Sequence, residues 1–333
     1  MEFTKTHLSY EGQVRLMADR GMEVGEWGDA IRAVKRIGYY RLSAYTYPMR
    51  TPAAEPPGAH APTELDPLAS RRDDQFLDGS KLSDAVALHD FDHRFRRVLL
   101  AGLQELEIGV RTKVAYHLSK HEPMAHLTQS GLSRRLCDEP VRGPDHTGTR
   151  YESWRREYDS LQGKAKHEEY VKHFLMRYDG AIPIWAAGEF MTMGCLIALF
   201  KLMIPRDARR IAQEFGVKNQ DILHGWLKAL NVMRNHCAHG ARIWNRSTTY
   251  PPTALNTSMV DDGLHHLVGA DTNKVYFLAA VTAYLLRRVN QESRFGSDFK
   301  TAMKKFPVVQ GMTPENTMGF TPNWRDEALW GLP

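Results

Sequence analysis

The sequence predicts an all-α fold, and three observations carry that expectation: long apolar runs with helical spacing, few strand signals, and Pro/Gly-rich interruptions. From Phe91 the apolar residues Phe95, Val98, Leu99, Leu103, Leu106, Val110, Val114 and Leu118 step by three or four, the one-sided stripe of a long helix. Glu107 and Arg111 stand four apart on it, spaced for an ion pair worth a few tenths of a kcal/mol. Leu223, Leu227, Leu230, Met233 and Cys237 repeat the pattern and run into Gly240, a common helix stop. The stretch 274–289 is apolar nearly all round and reads as a buried helix. Alternating Val/Ile/Thr runs between turn residues are few.

The interruptions divide the chain. Residues 1–50 read as an N-terminal helical subdomain and 51–81 as a loop or insertion. In the latter, TPAAEPPGAHAPTELDPLASRRD (Thr51–Asp73) is rich in Pro and Ala and has no period. A helical core over 82–290 follows, broken by a second loop, Cys137–Thr149. Residues 291–333 form an appendage whose tail after Pro307 is expected to lie over the surface in irregular form.

Composition narrows the function classes. The chain has 333 residues, 42% hydrophobic and 25% charged, which is too apolar for disorder and enough for a sizeable core. Its net charge of +5 permits a nucleic-acid partner without requiring one. Three cysteines with no CxxC pair argue against a disulfide framework and a cysteine-built zinc site. The opening MEFTKTHLSYEG lacks the apolar core of a secretory signal. The apolar stretch 182–204 carries Glu189 and Lys201, and 275–286 falls short of the roughly 20 residues of a membrane span. A soluble, cytoplasmic protein without a membrane partner is expected.

No phosphate-binding GxxxxGK[ST] loop, GxGxxG, HExxH or GxSxG occurs. His265 and His266 are adjacent but have no further partner at ligand spacing, and read as a solvated loop pair. No metal or cofactor is expected.

The densest polar cluster is RNHCAHGARIWNR, Arg234–Arg246, directly after an apolar helix. Metal-free RNA cleavage needs a base for the ribose 2′-OH, an acid for the leaving 5′-oxygen and a cation for the phosphorane. Histidine can fill either proton role, and arginine grips phosphate oxygens in pairs. Spacing alone decides nothing, because Arg-x(4–6)-His occurs twice, at Arg234/His239 and Arg111/His117, no more often than by chance. Arg234 and His239 also lie about 140° apart around an ideal helix, whereas Asn235 and His239 share a face. Either the helix ends near Ala238–Gly240 and swings His239 round, or the two serve different parts of a composite site. The alternative is a helix end at which Arg and His satisfy the last carbonyls.

At these residues the sequence resembles the AbiD/AbiF-type abortive-infection proteins of the HEPN superfamily. The resemblance covers roughly residues 5–290 and runs in family order: KRIGYYRLSAYTYPMR (Lys35–Arg50), the long helix Asp90–Ser119, PIWAAGEFMTMGCLIALF (Pro183–Phe200) and RNHCAHGARIWNR. It implies a HEPN-type helical bundle with Arg234 and His239 as the ribonuclease pair and Asn235 in support. One motif per chain implies a homodimer. The family link also implies phage defence and, as a partner besides substrate RNA, a small structured RNA. Gly240 departs from the pattern where a second histidine is common, as do Ala44 and Met193.

Other residues are weighed beside this pair. Glu189, read as lying in a mostly apolar helix, either faces solvent or meets a cation such as Arg234. Arg111 either approaches the site or only pairs with Glu107, and His117 is left unassigned. Arg36, Tyr39, Tyr40 and Arg41, with Arg242 and Arg246, are candidates for RNA contact, set against plain packing of the tyrosines. The leading expectation is a metal-independent endoribonuclease that leaves 2′,3′-cyclic phosphates. The alternative is a non-catalytic RNA-binding protein in a ribonucleoprotein, and a third reading is a structural dimer with the cluster at its interface.

Overall fold

The structure, a computed structural model, describes residues 6–53, 72–141 and 147–331. It separates into two compact units: Met1–Phe95 with Ala302–Thr313, and Arg96–Thr301 with Pro314–Pro333. Both are built mainly of α-helices, as the apolar spacing predicts.

In the first unit, α1 (Tyr10–Asp19) opens on Ser9, whose hydroxyl accepts from the Gly12 N–H. Gly38, at φ +91°, makes the break between α2 (Trp27–Ile37) and α3 (Tyr39–Thr46), a backbone shape that a side chain would strain. Val14, Val34, Leu42 and Tyr45 are fully buried, and the Tyr45 hydroxyl meets the buried Asp92 carboxylate at 2.6 Å. The Thr51–Asp73 stretch, expected to be a loop, begins and ends in strand. Its ends belong to β1 (Arg50–Pro52) and β2 (Arg72–Phe76), which pair antiparallel with Arg50 opposite Phe76. The rest of that insertion, 54–71, lies outside the described residues.

The long helix, α4 (Leu82–Ser119), has 38 residues, of which 96–119 belong to the second unit. There Leu99, Leu103, Leu106, Val110, Val114 and Leu118 are buried, as the stripe predicts. Gly109 makes room for a neighbour: a Cβ there would stand 2.5 Å from the Val289 side chain. After α5 (Ala125–Thr128) and α6 (Arg134–Cys137), the second expected loop closes with a bridge between Pro140 and Thr149, while 142–146 lie outside the described residues. Thr149 and Glu152 then form a reciprocal capping box at the start of α7 (Arg150–Lys164). Next come α8 (Glu169–Arg177), α9 (Ile184–Ala187), α10 (Met193–Leu202) and α11 (Pro205–Glu214). The central helix α12 (Gln220–Ala238) packs against α10, α11 and α13 (Val275–Val289). In α13 every residue from Val275 to Leu286 is buried, so the all-round apolar stretch is a core helix.

The segment after Pro307 departs from the expected surface position. Beyond α14 (Phe295–Met303) and α15 (Pro314–Met318), Phe320, Trp324 and Trp330 are buried. They pack around Tyr276 and Phe299, with the Phe299 and Trp330 rings stacked at 4.3 Å. Arg287 fastens this end by donating to the Ala328 and Gly331 carbonyls at 2.8 and 2.9 Å. Proline and glycine remove periodicity, but each buried aromatic still removes a large apolar area from water. His265 and His266 are likewise not a solvated loop pair. They lie half-buried in a short 3₁₀ turn, each nearest a carboxylate, Asp262 at 3.3 Å and Glu327 at 3.9 Å. Among the described residues, no helix is long and apolar enough to cross a membrane.

Two measurements check this packing. Gly109→Ala drives a methyl into Val289 and is expected to cost about 1–3 kcal/mol in chemical denaturation. Gly225→Ala, within α12 with open space at its Cβ, is expected to gain about 1 kcal/mol. The second concerns His126, fully buried with Nε2 3.3 Å from the Tyr158 hydroxyl. Burial, with Arg155 nearby, pushes its imidazole down from 6.5 to about 3. The unfolded chain therefore binds the extra proton first, and the stability tied to the neutral ring is complete above pH 6.5 and lost progressively below it. Denaturation across that range is expected to show a shallower acid slope for His126→Phe than for wild type.

Candidate active site

The RNHCAHGARIWNR cluster sits where α12 stops, and the stop has a defined cause. Gly240, at φ +68°, donates to the Cys237 carbonyl at 3.2 Å, and Ala241 donates to His236 at 2.8 Å. That pair of bonds is a Schellman end, and Gly240 is the left-handed residue it requires. Gly240 thus stands at a position whose left-handed backbone favours having no side chain. Ile243 and Trp244, both buried, anchor the chain beyond it.

His239 is the C-cap. Its N–H still donates to the Asn235 carbonyl at 2.9 Å, so the residue keeps helical register and its side chain is exposed. The helix ends where one expectation placed it, yet His239 is not swung round. It stays over Asn235, about 140° around the axis from Arg234.

Arg234 turns instead toward α4. Its Nε lies 3.5 Å from one oxygen of Glu107, and its Nη1 donates to Asn235 Oδ1 at 3.3 Å. The other Glu107 oxygen lies 3.5 Å from Arg111, whose Nη1 reaches Glu189 at 3.3 Å. The result is a chain of alternating charge, Glu189–Arg111–Glu107–Arg234, ending on Asn235. Both readings of Arg111 hold at once: it pairs with Glu107 and it approaches the cluster. Glu189 pairs with Arg111 rather than Arg234 and keeps its side chain 57% exposed.

Glu189 is not in a helix, as the apolar run had implied. It lies in the turn between α9 and α10, because Thr192 caps α10 by accepting from Cys195 N–H and so starts a new helix. Gly188 brings that turn against Arg111, since a Cβ there would stand 3.1 Å from Arg111 Cγ.

Glu107 is the residue that sequence reasoning passed over, having been read only as the i,i+4 partner of Arg111. It is 7% exposed. The signal was available: Glu107 lies between Leu103, Leu106 and Val110 on the buried stripe, where an unpaired carboxylate is costly.

The remaining candidates scatter. His117 is buried against Glu214 at 2.7 Å, its Nδ1 without a partner among the described residues. Arg242 and Arg246 are half-buried in the segment after α12. Burial, then the Arg246 charge, lowers the His236 pKa. In the first unit Arg36 holds Asp90 with two bonds of 3.0 Å, and the Tyr39 hydroxyl accepts from Arg20 at 3.4 Å. Arg41 is exposed, and Tyr40 is 90% exposed.

A family model described as Abi-like protein matches residues 32–245, nearly two thirds of the chain. The chain belongs to the Abi-like family. Family membership associates it with abortive infection, a form of defence. The match takes in α4, the Glu189 turn and the whole of α12, and it ends just past Trp244. No curated protein and no solved structure matches this Abi-like chain.

Removing the central carboxylate tests the charge chain. Glu107→Ala leaves two guanidinium groups facing each other in a half-buried site, and is expected to destabilise the protein by about 3–5 kcal/mol in denaturant titration. Glu189→Ala, on an exposed carboxylate, is expected to cost under about 1 kcal/mol.

Proposed function

We propose that the chain is a metal-independent endoribonuclease of the HEPN type, acting in abortive infection. One observation carries the reading: an exposed histidine closes α12 five residues after an arginine whose guanidinium faces a buried carboxylate. His239 would take the 2′-OH proton of a ribose as that oxygen attacks the adjacent phosphorus. The P–O5′ bond breaks, leaving a 2′,3′-cyclic phosphate on one fragment and a 5′-hydroxyl on the other. Arg234 would steady the added negative charge of the phosphorane.

One imidazole cannot take a proton and deliver another at the same instant. With Arg234 and His239 diverging around α12, the second proton carrier is assigned to His239 of a second copy. Exposed apolar side chains close in sequence to members of the charge chain suit such a homodimer. Ile108, next to Glu107, is 57% exposed, and Trp185, four residues before Glu189, is 53% exposed.

The test uses purified wild type, Arg234→Ala and His239→Ala with total RNA in EDTA, reading 3′-end chemistry. Wild type is expected to generate cyclic-phosphate ends, each variant to lose about 10²–10⁴-fold in rate, and all-DNA strands to stay intact. RNA that co-purifies with wild type but is never cut would move the assignment to a non-catalytic RNA-binding protein.

A further inference from the structure

α12 carries a second polar feature that the nuclease reading does not use. Counting back from His239, the positions 235, 231, 228 and 224 keep to one face of the helix. Along the 224–231 part of that face, α12 meets α7 and α10 across a cavity of about 670 Å³, in the size range of small-molecule sites.

The lining mixes aliphatic, aromatic and polar side chains, with the buried Trp154 and the exposed Tyr250 as its rings. Trp154 is held in place by its indole N–H, which donates to the Cys195 carbonyl at 3.2 Å. Tyr250 stands at the mouth, 56% exposed, with Lys228 Nζ 5.2 Å from its ring centre. Three neutral hydrogen-bonding groups line the space: Ser153, His224 and Asn231. Among the described residues, none of their side chains makes a hydrogen bond. Burial, reinforced by Lys201 and Lys228, holds His224 down to about 4, so its ring at neutral pH offers one donor and one acceptor.

The charges differ in availability, and one is negative: Glu157 also lines the cavity, on α7, and accepts from the Thr192 hydroxyl at 3.3 Å. Arg150 is engaged by Glu139 at 2.9 Å and Lys201 by Asp221 at 2.6 Å. Lys228 is exposed and, among the described residues, has no carboxylate partner. A simple anion would leave the Tyr250 ring and the three neutral groups unused. An acidic peptide would find one uncommitted cation.

We propose that this cavity binds a nucleotide, with its base against the exposed Tyr250 ring, its base edge on His224 and Asn231, and its phosphate on Lys228, Trp154 forming the buried floor behind. Aromatic lining suits a base face, and an amide beside an imidazole suits the mixed donors and acceptors of a base edge. Two sources share that chemistry: a free mononucleotide, and one unit of an RNA strand following the α12 face toward His239. Only the second rests on the ribonuclease reading.

The full chain is titrated with AMP and UMP by calorimetry, and with a short 2′-O-methyl RNA strand, which cannot cyclise, by fluorescence anisotropy. Wild type is compared with Lys228→Ala and Asn231→Leu, with thermal melts to confirm folding. Each variant is expected to weaken binding about tenfold, the loss of one charge-assisted or buried hydrogen bond. A loss confined to the mononucleotides identifies the free ligand, and a loss confined to the strand identifies RNA. Wild type that binds neither probe, or folded variants that bind both as tightly as wild type, overturns the proposal. The nuclease reading fails separately: a chain that binds AMP through Lys228 yet cuts no RNA keeps this site and loses that activity. A chain that cuts RNA with unaltered strand and mononucleotide affinity in both variants does the reverse.

Discussion

The arrangement at the end of α12 depends on one carboxylate. Glu107 divides its two oxygens between Arg111 and Arg234, at 3.5 Å each. With little solvent to screen them, these attractions are stronger than on the surface, and each arginine holds the carboxylate that orients the other. Arg111 then transmits the constraint to the α9–α10 turn through Glu189. Arg234 transmits it to Asn235, the residue over which His239 is stacked. A single charge on the buried stripe of α4 thereby links side chains on two other segments.

How much of this could be read from the residues alone follows the range of the interactions. α4, α12 and α13 were legible because their signals are local: apolar steps of three and four, a glycine stop, an uninterrupted apolar stretch. The Schellman end at Gly240 belongs to the same class. The link from Glu107 to Arg234 does not, since it joins positions far apart in sequence, and the i,i+4 spacing to Arg111 already offered a sufficient partner. Glu189 was misplaced because an apolar run looks the same whether one helix or two short ones occupy it. Only the Thr192 cap decides between them.

The tail shows the opposite failure. Its prolines and glycines argued for a surface strap, and its local structure is indeed one five-residue helix and short turns. Aromatic spacing without period carries no helical or strand signal, yet Trp324 and Trp330 close over Tyr276 and Phe299. Burial of large rings does not need regular backbone, provided the carbonyls find donors, and Arg287 supplies two of them.

α12 separates three tasks around its circumference. Leu223, Trp226, Leu227, Leu230, Met233 and Cys237 face the core and set stability. His224, Lys228, Asn231, Asn235 and His239 follow the polar face, from the cavity to the exposed end. Arg234 lies on the flank between them, closer to the buried side, and that position explains why it meets Glu107 rather than His239. A helix that kept Arg234 and His239 on one face would have to give up either the buried carboxylate or the exposed histidine. The divergence of the two within one chain is therefore a consequence of how Arg234 is anchored. It is also why the composite site proposed above draws its second proton carrier from another copy rather than from the same helix.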